Sequence, residues 1–142
     1  MVHRSSVPMH WRLYESRYNL VGNKCLVCGE FFYPSKIVCP NCRRRGILKR
    51  VVFSGKGKIY SYTIIRNAPR GFEKYAPYVV AIIELDEGPR VMGWIVDSKI
   101  SDIKIGQRVS VVFRKIYEDG KEGLIHYGFK FRVIDENNQL RD

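Results

Sequence analysis

The chain has 142 residues, with 25 lysine and arginine residues against 14 acidic ones, and its formal net charge is +11. This length allows one or two small domains, in which a metal ion often supplements a small core. No apolar run approaches the ~20 residues of a membrane span, and the start, MVHRSSVPMHW, lacks the apolar centre of a signal peptide. We therefore expect a cytoplasmic protein without a membrane segment.

A helix of about residues 8–20 is the first predicted element, within a leading segment 1–22. Pro8 suits a first helical turn, and Gly22 suits a C-terminal stop. Three aromatic residues at positions i, i+3 and i+7 line one face: Trp11, Tyr14 and Tyr18. This face either packs on the rest of the chain or docks on a partner, and the sequence leaves both interpretations open.

A zinc ribbon is predicted next, over residues 23–50. The chain's four cysteines form two CxxC pairs separated by ten residues: Cys25, Cys28, Cys39 and Cys42. Two such turns can place four sulfur atoms around one metal ion. Four cysteine ligands leave no open position, so the zinc would be structural and not catalytic. Two disulfides, or a rubredoxin-type iron that carries electrons, are the alternatives.

The positive charge is concentrated in the first part of the chain. Residues 1–54 hold ten lysine and arginine residues and two acids, whereas residues 55–142 hold fifteen and twelve. Four thiolates on a divalent ion lower the net charge of the first part to about +6. The Arg43–Arg45 run is therefore either counter-charge for the metal cluster or a phosphate-binding element.

The remainder, residues 51–142, is predicted to be a five-stranded barrel of the OB type. Five β-rich runs are separated by Gly, Pro and Asp signals: Val51–Arg66, Tyr78–Asp86, Arg90–Asp97, Arg108–Glu118 and Leu124–Ile134. Tight turns predict that runs two and three, and runs four and five, form hairpins. In the last run, apolar residues at 125, 127, 129, 131 and 133 alternate with His126, Gly128, Lys130 and Arg132, which predicts an apolar and a polar face. The fold class is thus mainly β, with an N-terminal helix.

These motifs in this order resemble the DUF35 family over nearly the whole chain. The segments that carry the resemblance are LVGNKCLVCGEFFYPSKIVCPNC, SGKGKIYSYTII, YVVAIIELDEGPRVMGWIV and IGQRVSVVF, after a leading PxxWR helix. Each motif alone is weak, but their joint order and spacing are specific. The resemblance implies a rubredoxin-like zinc ribbon followed by an OB-fold, and all four metal positions are filled by cysteine.

The family resemblance also implies a function. Family members are small, non-catalytic, acyl-CoA-associated partners of thiolase-like enzymes in lipid, polyketide and isoprenoid pathways. The resemblance implies that archaeal members bind both an acetoacetyl-CoA thiolase and a hydroxymethylglutaryl-CoA (HMG-CoA) synthase and so link the two enzymes. We therefore expect a scaffold subunit that docks on a thiolase-like enzyme, with the chemistry in its partner. The sequence agrees, because all cysteines are committed to metal and no histidine has a dyad partner at a suggestive spacing.

Acyl-CoA, if it contacts this chain, needs cations for its phosphates and an apolar shelf for adenine. The loop between the first two β runs offers both in five residues: Arg66, Arg70, Phe72, Lys74 and Tyr75. The same aromatic residues could instead cap the barrel. The alternative function is single-stranded nucleic-acid binding, with stacking on Phe53, Tyr60 and Tyr62. We favour it less, because most of the excess charge lies on the ribbon and the barrel aromatics mainly fit strand alternation.

Overall fold

The computed structural model describes residues 7–118, 120 and 123–134, and strands dominate it. One helix, a ribbon region and a barrel follow one another, which confirms the predicted fold class. The chain divides into two compact units, with the boundary between Phe53 and Ser54. Within the described residues, no helix is both long and apolar enough to cross a membrane.

The helix α1 spans Val7–Asn19, close to the predicted range. It ends because Leu20 adopts a left-handed conformation, with φ of 47°. Gly22 does not provide the stop that the sequence suggested. It lies inside a strand, where an added Cβ would stand 2.3 Å from the carbonyl oxygen of Phe32 and 2.5 Å from the ring of Phe53. Close packing in the sheet, and not the helix end, requires this glycine.

The sheet of the first unit is antiparallel and has three strands: β1 (Val21–Cys25), β2 (Phe31–Phe32) and β3 (Leu48–Val52). Strand β1 lies in the centre, paired with β2 on one side and with β3 on the other. The ring of Phe53 packs beneath the sheet, with its centroid 6.2 Å from that of Phe31 and 6.1 Å from that of Tyr33. Its burial ties the end of β3 to the ribbon.

The predicted long strand of residues 51–66 is therefore wrong as a single element. Its first two residues belong to β3, and residues 53–55 are not in a strand. Strand β3 ends at Val52, and the first compact unit ends at Phe53. The physical reason is that β3 supplies the backbone partners for the second edge of β1.

The second unit is a closed five-stranded barrel, as predicted. Its strands are β4 (Lys56–Ile65), β5 (Tyr78–Leu85), β6 (Arg90–Val96), β7 (Arg108–Glu118) and β8 (Ile125–Val133). They close in the order β4-β5-β6-β8-β7, with β7 paired back to β4. The pairs β5–β6 and β7–β8 are the two predicted hairpins. The most deeply buried barrel side chains are Ile59, Val79, Ile83, Val109 and Phe131.

Two register irregularities change which way side chains point. In β4 a shift between Ile59 and Ser61 pairs Ile59 with Ile83 and Ser61 with Ile82, so that the exposed Tyr60 is the extra residue. In β7 a shift between Lys115 and Tyr117 pairs Lys115 with Tyr127 and Tyr117 with His126. A bulge of this kind reverses the inward and outward alternation of the strand.

Strand β8 consequently departs from the predicted pattern. His126 and Lys130, predicted on a polar face, are only 8% and 5% exposed, whereas Ile125 and Tyr127 are 50% and 44% exposed. The expected apolar interior returns at Phe131, which is fully buried. The prediction fails for the first half of the strand because aromatic rings from neighbouring elements cover its polar side chains.

Candidate metal centre and barrel surface

The four cysteines converge on one point. Cys25 ends β1, Cys28 follows in the next turn, and Cys39 and Cys42 lie in a second turn. Their Sγ atoms all lie within 4.8 Å of one another, and those of Cys28 and Cys39 are 3.6 Å apart. Sulfur atoms about 2.3 Å from a tetrahedral zinc ion would be about 3.8 Å apart. The cage therefore fits the zinc site predicted from the sequence.

Backbone hydrogen bonds shape the two turns alike. Gly29 N–H donates to the carbonyl of Cys25 over 2.9 Å, and Arg43 N–H donates to that of Cys39 over 2.8 Å. Gly29 and Arg43, each directly after the second cysteine of its pair, both have positive φ, 77° and 51°. Position 46 requires glycine, because a Cβ there would stand 2.5 Å from the Cβ of Cys39. The sequence analysis did not identify this requirement.

The thiols of the cage have unequal acidities. The hydrogen bond from the backbone N–H of Cys28 is the largest influence on Cys25 and lowers its thiol pKa to about 6. Burial is the largest influence on Cys42 and raises its pKa to about 12. Since metal ligands bind as thiolates, a divalent ion must displace protons from the more basic sulfur atoms.

An aromatic cluster lies in the second unit, where the loop after β4 meets the four strands β5 to β8. Its members are Phe72, Tyr75, Tyr78, Trp94, Tyr117 and His126. Trp94 is the hub, with Tyr78 stacked on it at 4.4 Å and Phe72 and Tyr75 at 5.7 Å. His126 stacks on Tyr117 at 4.3 Å. The loop aromatics thus close onto the barrel, which is the alternative that the sequence left open for them.

Lys130 lies against this cluster and was not singled out from the sequence. Its Nζ atom is 4.2 Å from the ring centroid of Trp94 and 5.6 Å from that of Tyr75. Burial, followed by the charge of Arg114, lowers the pKa of this amine, and Asp97 opposes them weakly. The only signal in the sequence was the position of Lys130 between Phe129 and Phe131 in an alternating strand. That pattern predicted an exposed lysine, whereas Lys130 is buried.

The other residues predicted to contact acyl-CoA are dispersed around the loop. Arg66 lines an open cavity of about 410 Å³ with Ile64, Ala76, Pro77 and Ile100. Arg70 is exposed.

Lys74 forms an ion pair with Glu118 over 2.9 Å, and Glu118 also binds Lys115. Hydrogen bonds from Lys115 and Lys74 lower the pKa of Glu118 to about 2. The loop therefore presents two exposed arginines beside a half-buried aromatic surface.

The predicted aromatic face of α1 is largely open to solvent. Trp11 is 82% exposed and Tyr14 is 51% exposed, whereas Tyr18 is half-buried with its ring 4.6 Å from that of Tyr14. Met9 and Leu13, which the sequence analysis did not select, are exposed too. The C-terminal half of the helix is anchored: the Tyr33 hydroxyl donates to the carbonyl of Ser16 over 2.8 Å, and Glu15 pairs with Arg50 over 2.9 Å.

The fold and the cysteine cage together define a protein with a zinc ribbon followed by an OB-fold. Family models agree: one for the rubredoxin-like zinc ribbon domain of ChsH2 matches residues 15–47, and one for the C-terminal OB-fold domain of ChsH2 matches residues 50–114. The metal centre is accordingly a structural zinc site. The predicted zinc ribbon is confirmed.

The chain belongs to the DUF35 family. It is 54% identical to a "DUF35 domain-containing scaffold protein" of Methanothermobacter thermautotrophicus, over 86% of this chain and 92% of that one. It is 50% identical to a protein of the same description from Methanocaldococcus jannaschii, over 91% and 92% of the two chains. These relatives confirm the resemblance from which the function was predicted.

Solved structures give the same architecture. The chain resembles a chain of the "Ltp2-ChsH2(DUF35) aldolase", with 28% identity and a TM-score of 0.66, over 93% of this chain and 96% of that one. A DUF35 protein of unknown function from Sulfolobus solfataricus is 19% identical, with a TM-score of 0.52, over 82% and 76% of the chains. The second likeness supports the fold alone.

Replacing Cys25 by Ser is expected to abolish stable zinc binding and to unfold the ribbon. The bound metal should fall from about one ion per chain to near zero, because one of four structural ligands is lost. Elemental analysis and thermal melting test this. The control is Asn41→Ser, a change in the second cysteine turn that removes no ligand. A Cys25→Ser chain that keeps its zinc and its melting temperature would contradict the assignment.

Replacing Lys130 by Met is expected to raise the melting temperature at neutral pH. The amine's pKa is lowered in the folded chain, so below that pKa the protonated amine carries its full burial cost in stability. The cost disappears as the pH rises from the lowered pKa towards the ordinary value of about 10.5. The advantage of Met should therefore shrink between neutral pH and pH ~10.5. Melting curves across this pH range test whether Lys130→Met raises the melting temperature and whether the difference shrinks at high pH. The control is Lys104→Met, at an exposed position.

Proposed function

We propose that this protein is a non-catalytic scaffold subunit that docks on a thiolase-like enzyme of acyl-CoA metabolism, in a lipid or isoprenoid pathway. The curated relatives named scaffold proteins support the scaffold role. The structural neighbour, the Ltp2-ChsH2(DUF35) aldolase, supports an enzyme as the partner. An HMG-CoA synthase is proposed as a second enzyme on the same scaffold, as the family resemblance implies.

The exposed face of α1 is the observation that carries the proposal. A helix of 13 residues is marginal in water unless its apolar side chains pack against something. Here the large apolar side chains of the first two described turns stand in solvent: Met9, Trp11, Leu13 and Tyr14. Tryptophan and tyrosine are the residues most enriched at the energetic centres of protein interfaces. A helix with this face is suited to a groove on a partner.

The four cysteines and His126 are engaged in structure. All four cysteines surround the metal site, which leaves no thiol for a thiolase-type nucleophile. His126 is buried and stacked on Tyr117. A closed cage of four sulfur atoms gives zinc no open position for substrate. These facts support a chain that organises an enzyme and leaves the chemistry to it.

The structure weakens the alternative of single-stranded nucleic-acid binding. Phe53, one of three predicted stacking platforms, is 4% exposed and packs in the ribbon. One face of the Tyr60 ring is covered by the guanidinium of Arg90, which lies 3.6 Å from the ring centroid. A stacking surface needs several open rings along one groove. Phe53 therefore offers no stacking surface, and one face of Tyr60 is already occupied.

Removing the exposed aromatic rings of α1 is expected to weaken enzyme binding and to leave stability unchanged. The tagged chain, purified from its own cells after nuclease treatment at moderate salt, should bring down a thiolase-like enzyme in near-stoichiometric amount. The double variant Trp11→Ala and Tyr14→Ala should bind that enzyme at least roughly tenfold more weakly. Extending it to Tyr18→Ala should deepen the loss, at some cost in stability because Tyr18 is half-buried.

The matched control is Tyr60→Ala, which removes an exposed tyrosine from the barrel. Equal melting temperatures for the double variant and the parent chain would show that the helix face is not core. The proposal fails if the parent chain recovers no thiolase-like enzyme. Recovery of nucleic acid with a steep salt dependence would favour the alternative function.

The proposal also includes direct contact between this chain and acyl-CoA. Arg66 and Arg70 are exposed, and Arg66 borders a cavity with aliphatic walls. A pyrophosphate or 3′-phosphate pairs well with two guanidinium groups. Phe72 and Tyr75 are half-buried in the aromatic cluster, and Lys74 is engaged by Glu118, so the two arginines are the strongest candidates of the predicted set.

Replacing Arg66 and Arg70 by Ala is expected to weaken binding of acetyl-CoA. Each lost charge-assisted hydrogen bond corresponds to roughly tenfold in affinity. Calorimetric titration of the parent chain, the double variant and the control Lys104→Ala measures the change, first on the chain alone and then on the enzyme complex. Equal affinity in the double variant and the control would remove the arginines from the site.

A further inference from the structure

Five aliphatic side chains at the metal-binding end of the ribbon stand in solvent, and we call this surface the ribbon tip. Its members are Leu26, Val27, Ile37, Val38 and Ile47. The least exposed, Val38, is 55% exposed, and Ile37 is 98% exposed. Single exposed apolar residues are ordinary, but a group of five on one small module is a marker of an interaction surface.

The ribbon tip surrounds the cysteine cage. Leu26 and Val27 lie between Cys25 and Cys28, and Ile37 and Val38 directly precede Cys39. Four of the five are thus within two sequence positions of a metal-binding cysteine. Their Cα atoms therefore lie less than about 7.6 Å from the Cα atom of that cysteine. The fifth, Ile47, accepts a 2.8 Å hydrogen bond at its carbonyl from Leu26 N–H. Because the four sulfur atoms converge within 4.8 Å, both cysteine turns contribute to one surface.

The cage itself holds these side chains outward. Cys25 and Cys39 are fully buried, so the interior of the tip is occupied by sulfur. The backbone of both turns is fixed by hydrogen bonds to the first cysteine of each pair. Aliphatic side chains in these turns have no core to pack into. Replacing them by serine or lysine would therefore change the stability of the fold little. Their aliphatic character is therefore not explained by the ribbon's own packing.

A basic rim accompanies the aliphatic surface. Residues 23–50 contain seven lysine and arginine residues and a single acid, Glu30. Lys36 precedes Ile37, and Arg43–Arg45 follow directly after the last ligand, all of them exposed. Four thiolates on a divalent ion offset only two of these charges. The complementary surface is one with an apolar centre and acidic residues around it.

We propose that the ribbon tip is a second protein-docking surface, which inserts into an apolar socket with an acidic rim on the thiolase-like enzyme. The inference rests on the proposed function and adds to it the surface and the chemistry of the contact. An apolar centre with a charged rim is the usual anatomy of a protein interface. The rim charges contribute to the rate of association and to its salt dependence.

The chemistry of the tip favours a protein over a nucleic acid. Bases stack on aromatic rings, and aliphatic side chains give little of that interaction. The large apolar side chains exposed between residues 21 and 53 are all aliphatic among the described residues. The nearest rings, Phe31 and Tyr33, pack against Phe53.

The test compares affinities for the separately purified thiolase-like enzyme. The variant Ile37→Ser with Val38→Ser removes aliphatic surface and leaves the ligands, and Arg44→Glu with Arg45→Glu reverses rim charge. The first should bind at least roughly tenfold more weakly. The second should associate more slowly, with the salt dependence reduced. Both should keep their zinc and their melting temperature, because the changed side chains are exposed.

The control is Met92→Ser with Ile105→Ser, which removes two barrel side chains that are 72% and 67% exposed. If the parent chain binds the enzyme and the tip variant binds as tightly as the control, the ribbon tip is not a docking surface and the proposed function stands. If the parent chain binds no such enzyme, both proposals fail. Tip variants that lose affinity for a single-stranded oligonucleotide, and not for the enzyme, would also overturn the inference.

Discussion

Convergence of four sulfur atoms within 4.8 Å is the constraint on which the first unit depends. The unit has a three-stranded sheet with a two-residue edge strand, and few of its large side chains are fully buried. A core of this size does not offset the loss of chain entropy by itself. Zinc binding supplies that free energy, and it does so only if both cysteine turns keep their shape.

The metal also explains why this small module can present apolar residues to solvent. Because the cage and its hydrogen bonds fix the fold, the surrounding turns need not contribute a core. The exposed turns of α1 and the ribbon tip can then serve a partner. Two such surfaces, together with four cysteines gathered at one metal site, fit the scaffold role named for the relatives.

The barrel uses its side chains differently. Bulges in β4 and β7 change the direction of the following residues, and the second turns Tyr117 onto His126. Around this pair the loop rings close on Trp94 and cover Lys130. The result is a closed aromatic surface where the sequence had suggested an adenine shelf. Arg66 and Arg70 of the same loop stay exposed.

The sequence by itself determined the metal ligands, the helix, the two barrel hairpins and the family, because these depend on spacing, periodicity and the order of motifs along the chain. It did not determine where the ribbon ends, which side of β8 is buried, or what Gly22 and Gly46 are for. Each of these depends on contacts between distant residues: β3 pairing with β1, Trp94 over Lys130, and the close approach of Phe32 and Cys39. Tertiary packing decided them because a buried position is defined by its neighbours, which periodicity does not specify.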